Sequence, residues 1–81
     1  MTFKEYQKVS KKTAIYPKAG KNFVYPALGL AGESGEVAEI IKRIIREKNG
    51  VIDKQSKAAL SKELGDVLWY LSQLATEFDI S

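Results

Sequence analysis

The chain has no cysteine, so disulfides and thiolate metal sites are both excluded. It also has no histidine, which removes the usual zinc and non-haem iron ligands and the usual general base. Only two prolines interrupt it. No apolar run approaches the roughly 20 residues of a membrane span. The start, Met1-Thr-Phe-Lys-Glu-Tyr6, lacks the apolar stretch of a signal peptide, so a cytoplasmic protein is expected. Chemistry in this chain must come from carboxylates, amines, hydroxyls and bound ions.

What is present bounds the rest. Eighty-one residues make a single small domain, 1–81, and 44% of them are hydrophobic, too many for a disordered chain. So short a chain hides little apolar surface alone, and part of its apolar stripe is expected to meet another copy in a homo-oligomer. The formal charge is +3, from 13 basic and 10 acidic residues. A net positive charge favours anions, nucleotides and nucleic acid alike.

Three amphipathic helices are expected and no strand, an all-α fold. Residues 2–14 place Phe3, Tyr6 and Val9 among lysines, with Thr2 and Glu5 spaced as a capping box. Tyr16-Pro17 and Gly20 break that pattern, so 16–25 read as a loop. A second helix is expected from near Pro26 to Lys48, ended by Asn49-Gly50. A third should run from about 53–56 to Phe78, where Leu60, Leu64, Val67, Leu68, Leu71, Leu74 and Phe78 recur at helical spacing.

One internal similarity stands out. Leu30-Ala-Gly-Glu33-Ser-Gly-Glu36-Val37 and Leu60-Ser-Lys-Glu63-Leu-Gly-Asp66-Val67 share the pattern Leu-x-x-Glu-x-Gly-acid-Val at an offset of 30 residues. At about 100° per residue, Glu33 and Glu36 lie within roughly 60° of each other, and Val37, Ile40 and Ile44 within about 40° of Glu33. Glu63 likewise shares its direction with Val67 and Leu74, with Asp66 and Tyr70 on a flank. Each helix therefore sets an acid pair where a core residue belongs.

Gathering those acids is costly. Two like charges about 4 Å apart repel by around 4 kcal/mol at an effective dielectric of 20. Raised pKa values, paired cationic side chains or a bound cation can answer that repulsion. Ligands that are all oxygen favour a hard ion, Mg²⁺ or Mn²⁺, and magnesium usually adds substrate phosphates to its shell. Glu-x-x-Glu alone is common on solvated helix faces. Two such pairs, both on apolar stripes, point to a shared site. Gly35 and Gly65, helix-interior glycines beside the acids, suggest close helix approach there.

The run from Tyr25-Pro-Ala-Leu-Gly-Leu-Ala-Gly-Glu33-Ser-Gly-Glu36 to Arg43 resembles the signature helix of the MazG-like nucleoside triphosphate pyrophosphohydrolases. Glu63-Leu-Gly-Asp66-Val-Leu-Trp-Tyr-Leu71 resembles their second motif, and Phe3-Lys-Glu-Tyr-Gln7 the opening of many members. The resemblance covers nearly the whole chain. It implies an all-α fold assembled as dimers or tetramers, with Mg²⁺ held by Glu33, Glu36, Glu63 and Asp66. It also implies hydrolysis of (deoxy)nucleoside triphosphates to a monophosphate and pyrophosphate, in control of the nucleotide pool. Members usually continue into a further helix with an asparagine and basic residues that grip phosphate. This sequence stops at Asp79-Ile80-Ser81, so either it is a shortened form or another chain or the loops supply those contacts.

Within that reading Glu36 or Glu33 would orient or deprotonate the attacking water. Candidate phosphate partners are Lys18, Lys21, Lys42 and Arg43, each also readable as an ordinary solvated side chain. Tyr70 could contact the sugar or base, or be a core tyrosine at the rim of the stripe. Trp69 reads as packing or interface, and Phe23 and Tyr25 as base contacts or loop anchors. A non-catalytic helical oligomerisation module of the same fold is the main competing reading. A basic nucleic-acid binder is weaker, because the basic residues are scattered rather than gathered on one face.

Overall fold

The computed structural model describes residues 1–81, and it contains three helices and no strand: α1 (Phe3–Lys11), α2 (Val24–Glu47) and α3 (Lys54–Glu77). The all-α expectation holds. No helix is long and apolar enough to cross a membrane.

Local chemistry sets the helix ends. Thr2 and Glu5 form the complete capping box, with reciprocal bonds of 3.0 and 3.1 Å. α1 stops at Lys11, short of residue 14, where the Thr13 hydroxyl donates to the Ser10 carbonyl at 2.7 Å. α2 opens at Val24, two residues before the expected Pro26. Asn22 permits this by accepting the Tyr25 N–H on its side chain at 3.2 Å, while Pro26 sits in the first turn, where no N–H is needed. Asn49 (φ +51°) and Gly50 (φ +78°) turn left-handed at the other end, and the Gly50 N–H closes on the Ile44 carbonyl at 3.0 Å. Asp53 caps α3 by accepting the Ser56 N–H at 2.8 Å.

α2 and α3 form an antiparallel pair, and α1 packs on α3. Gly29 meets Tyr70, Glu33 meets Glu63 and Asp66, and Ile40 and Arg43 share a groove with Ser56 and Ala59. That descending order fixes the register. It brings the two acid pairs to the same level of the hairpin.

The buried interior differs from the expected leucine stripe. Tyr16, Pro26 and Ile44 are buried, together with Gln7, Ser10, Ser56, Ser72 and Gln73. The α1–α3 seam is a hydrogen-bonded polar zipper. Ser10 and Ser72 hydroxyls lie 3.0 Å apart, Gln73 Nε2 donates to Ser10 Oγ at 3.0 Å, and Gln7 Nε2 donates to the Ile80 carbonyl at 2.7 Å. Small side chains and short polar links let a nine-residue helix lie close on α3. Part of that stripe is open instead: Leu64 is 50% exposed, Leu71 44% and Phe78 57%, while Leu60 and Leu74 are half-buried.

The connection between α1 and α2 is tied down by one carboxylate. Glu77, at the end of α3, accepts the Tyr16 hydroxyl, the Gly20 N–H at 2.7 Å and the Asn22 N–H at 2.9 Å. Burial alone would raise the Glu77 pKa, but these donors outweigh it and hold the group below its ordinary value.

Candidate metal centre

Oxygens of Glu33, Glu63 and Asp66 all lie within 4.8 Å of one another, between α2 and α3. Two ligands of one Mg²⁺, each at about 2.1 Å, stand at most about 4.2 Å apart. Small rotamer changes would therefore bring the three carboxylates onto one ion. All three side chains are half-buried.

The electrostatics are those of crowded like charges. The Glu33 carboxyl is pushed up to about 7, first by a hydrogen bond with the Glu63 carboxylate, then by burial and by the charges of Glu63, Asp66 and Glu36. No lysine or arginine enters that balance, and none of the chain's ion pairs involves these acids. Glu63 Oε2 is buried, and no donor other than a protonated Glu33 carboxyl is offered to that carboxylate. A buried carboxylate oxygen normally has a partner, and leaving one without costs about 1–3 kcal/mol or more. A hard divalent cation fits each observation: the all-oxygen donor set, the buried Glu63 oxygen and the raised pKa of Glu33.

The expected site residues separate into groups. Glu36 stands outside the three-acid cluster, on the exposed side of α2, yet near enough for its charge to act on Glu33. The reason is angular: α3 lies against the face that carries Glu33, and a step of three residues turns Glu36 toward solvent. Tyr70 is beside the centre. Its pKa is raised by burial and by neighbours that include Tyr25, Glu33 and Asp66.

None of the four expected phosphate partners is at the centre. Lys42 pairs with Glu39 at 3.2 Å on an exposed face. Arg43 lines a groove with Ile40, Lys48, Gln55, Ser56 and Ala59, about 15 Å along α2 from Glu33 at 1.5 Å per residue. Lys18 and Lys21 lie in the connection anchored by Glu77, close to the far end of α3.

One reading of the sequence needs correction. Gly35 and Gly65 do not mark a close approach, because a Cβ at either would meet nothing within 4 Å. The close approach is nearly two turns before Gly35, at Gly29, against the Tyr70 ring. Trp69 is a packing residue: its Nε1 donates to Thr13 at 2.8 Å, and its ring meets Tyr16 and Tyr70 edge-on. The sequence carried a signal for Gly29. It precedes Glu33 by one turn, as Tyr70 follows Asp66 by one turn, so an antiparallel pair puts both at one level.

The chain has known relatives. The MazG nucleotide pyrophosphohydrolase domain matches residues 26–81, and the chain belongs to that family. It is also similar to the Gene 37 protein of Mycobacterium phage L5, 45% identical over 80 residues that span 93% of this chain and 70% of the phage protein. No solved structure matches it.

Proposed function

We propose that this chain is a Mg²⁺-dependent nucleoside triphosphate pyrophosphohydrolase acting in nucleotide-pool control, with its centre built on Glu33, Glu63 and Asp66. The observation that carries this is the unsatisfied three-acid cluster on the paired helices of a MazG-family chain. When bound there, Mg²⁺ (or Mn²⁺) would neutralise triphosphate oxygens and lower the pKa of a coordinated water.

The residues would divide the remaining work. Glu33, Glu63 and Asp66 hold the ion. Glu36, exposed on α2 but near enough for its charge to act on Glu33, would orient or deprotonate the attacking water or join the other three as a ligand. Tyr70, a neutral donor beside the acids, serves the nucleotide. Lys18, Lys21, Lys42 and Arg43 would reach the phosphates from further off, in this chain or from another copy, so they rank below Tyr70 as partners.

Assembly belongs to the same reading. Exposed Leu64, Leu68 and Leu71 of α3, and the groove of about 680 Å³ lined by Phe3, Leu71, Leu74, Ala75, Phe78 and Ile80, offer apolar surface to a second copy. A homodimer or homotetramer would cover it. The non-catalytic module shares this surface but gives no account of the crowded carboxylates.

The test is pyrophosphate release from a panel of (deoxy)nucleoside triphosphates with Mg²⁺. Turnover that disappears in Glu63→Gln and Asp66→Asn supports the enzyme. Folded wild-type protein with no turnover of any nucleotide leaves the binding module.

A further inference from the structure

Among the helix-interior glycines, Gly29 alone gives up its side chain to a neighbour. A Cβ there would fall within 3.0 Å of Cδ1, Cε1 and Cζ of Tyr70, whereas at Gly32, Gly35 and Gly65 it would meet nothing within 4 Å. The ring is bounded on other sides too. Trp69 meets it edge-on with centroids 5.2 Å apart, and Tyr25 lies at 6.4 Å. Tyr25 is itself stacked on Tyr16 at 4.9 Å, and Tyr16 is held by Glu77. An aromatic row thus runs from the anchored loop to a bare patch of α2.

The row ends beside the acids, since Glu33 and Asp66 are near enough for their charges to act on the Tyr70 phenol. No basic side chain enters the charge balance of Glu33. A phenol suits such a place. It donates a hydrogen bond to a phosphate or sugar oxygen without adding a positive charge that would compete with a cation.

We propose that Gly29 is a positioning residue: its bare Cα seats the Tyr70 ring so that the phenol donates to a nucleoside triphosphate held at the acid centre. This rests on the nucleotide reading above. A methyl at Gly29 would displace the ring and swing the hydroxyl off the nucleotide, while the three carboxylates keep their places.

Calorimetric titrations with Mn²⁺ alone, and with the Mg²⁺ complexes of α,β-imido dUTP and α,β-imido dATP, test this on the full chain. Gly29→Ala and Tyr70→Phe should each weaken nucleotide binding about tenfold, the loss of about one hydrogen bond. The double variant should bind no more weakly than Gly29→Ala alone, because both changes remove the same contact. Mn²⁺ affinity should stay within about twofold in all of them, by the same separation of contacts. Wild-type nucleotide affinity in Gly29→Ala, losses that multiply in the double variant, or Mn²⁺ affinity that falls alongside nucleotide affinity would each overturn the proposal. If Gly29→Ala does not fold, Gly29→Ala/Tyr70→Ala removes the ring that the methyl meets. That chain should fold and still bind nucleotide weakly, and full affinity in it would be contrary. Wild-type protein that binds neither analogue removes the nucleotide reading and this inference together. Wild-type binding with an indifferent Gly29→Ala removes this inference alone.

Discussion

Two polar seams are built into this small bundle, and they are opposites. Between α1 and α3, buried Ser10, Ser72 and Gln73 bond one another, and Gln7 bonds the chain's end. Between α2 and α3, three carboxylates crowd together, a Glu63 oxygen is buried, and Glu33 is driven toward protonation. Satisfied buried polarity fixes how helices dock, whereas unsatisfied buried polarity of one sign waits for a ligand. The contrast separates scaffold from site within one fold.

Substitutions should keep the two seams apart. Glu63→Gln is expected to have the largest functional effect. Changes merely in the outer shell of metal sites cost 10–100-fold, so losing a ligand should lower pyrophosphate release by at least about a hundredfold. The same change should leave the metal-free melting temperature unchanged or higher, because it relieves like-charge repulsion. Ser72→Ala is the converse. Ser72 is fully buried, and its loss strips the Ser10–Ser72 bond, at about 1–3 kcal/mol. At roughly 4–8 °C per kcal/mol for a domain of this size, the thermal midpoint should drop visibly, with Mn²⁺ affinity intact.

The acid centre should also show in the pH dependence. With Glu33 pushed up to about 7, the folded chain retains a proton that the unfolded chain releases at ordinary carboxylate values. Metal-free stability therefore falls as pH rises from the usual carboxylate range to about 7, then levels. Saturating Mn²⁺ displaces that proton, so its stabilising effect should be greatest above pH 7. Thermal melts at several pH values, with and without Mn²⁺, would show both trends. The smallest effect is expected on the outer surface, where Lys42→Ala removes an exposed pair with Glu39 and should change stability by no more than about 0.5 kcal/mol.

Much of this was legible in the sequence, and the failures have physical causes. Helical spacing exposed the three helices, and the capping box at Thr2 and the Asn49-Gly50 stop are local chemistry that tertiary contacts did not override. The acids at Glu33, Glu63 and Asp66 could be read because they interrupt apolar stripes. Glu36 matched the pattern equally well, but a wheel cannot say where the facing helix lies within a broad face. Periodicity showed the apolar face of α3 without saying what covers it, so it could not tell which of its leucines stay exposed. The serine and glutamine seam gave no signal, since hydrogen bonds between residues 62 or 63 positions apart have no local signature. The role of Gly29 needed the facing ring of Tyr70, which only the antiparallel register supplies.

Titration of the metal-free chain with Mn²⁺ at pH 8, followed by calorimetry, puts the acid centre to the most direct test. Saturable binding in the wild type that is abolished in Glu63→Gln and retained in Ser72→Ala is the predicted result. Binding that persists undiminished in Glu63→Gln, or no binding by folded wild-type protein, would contradict the account.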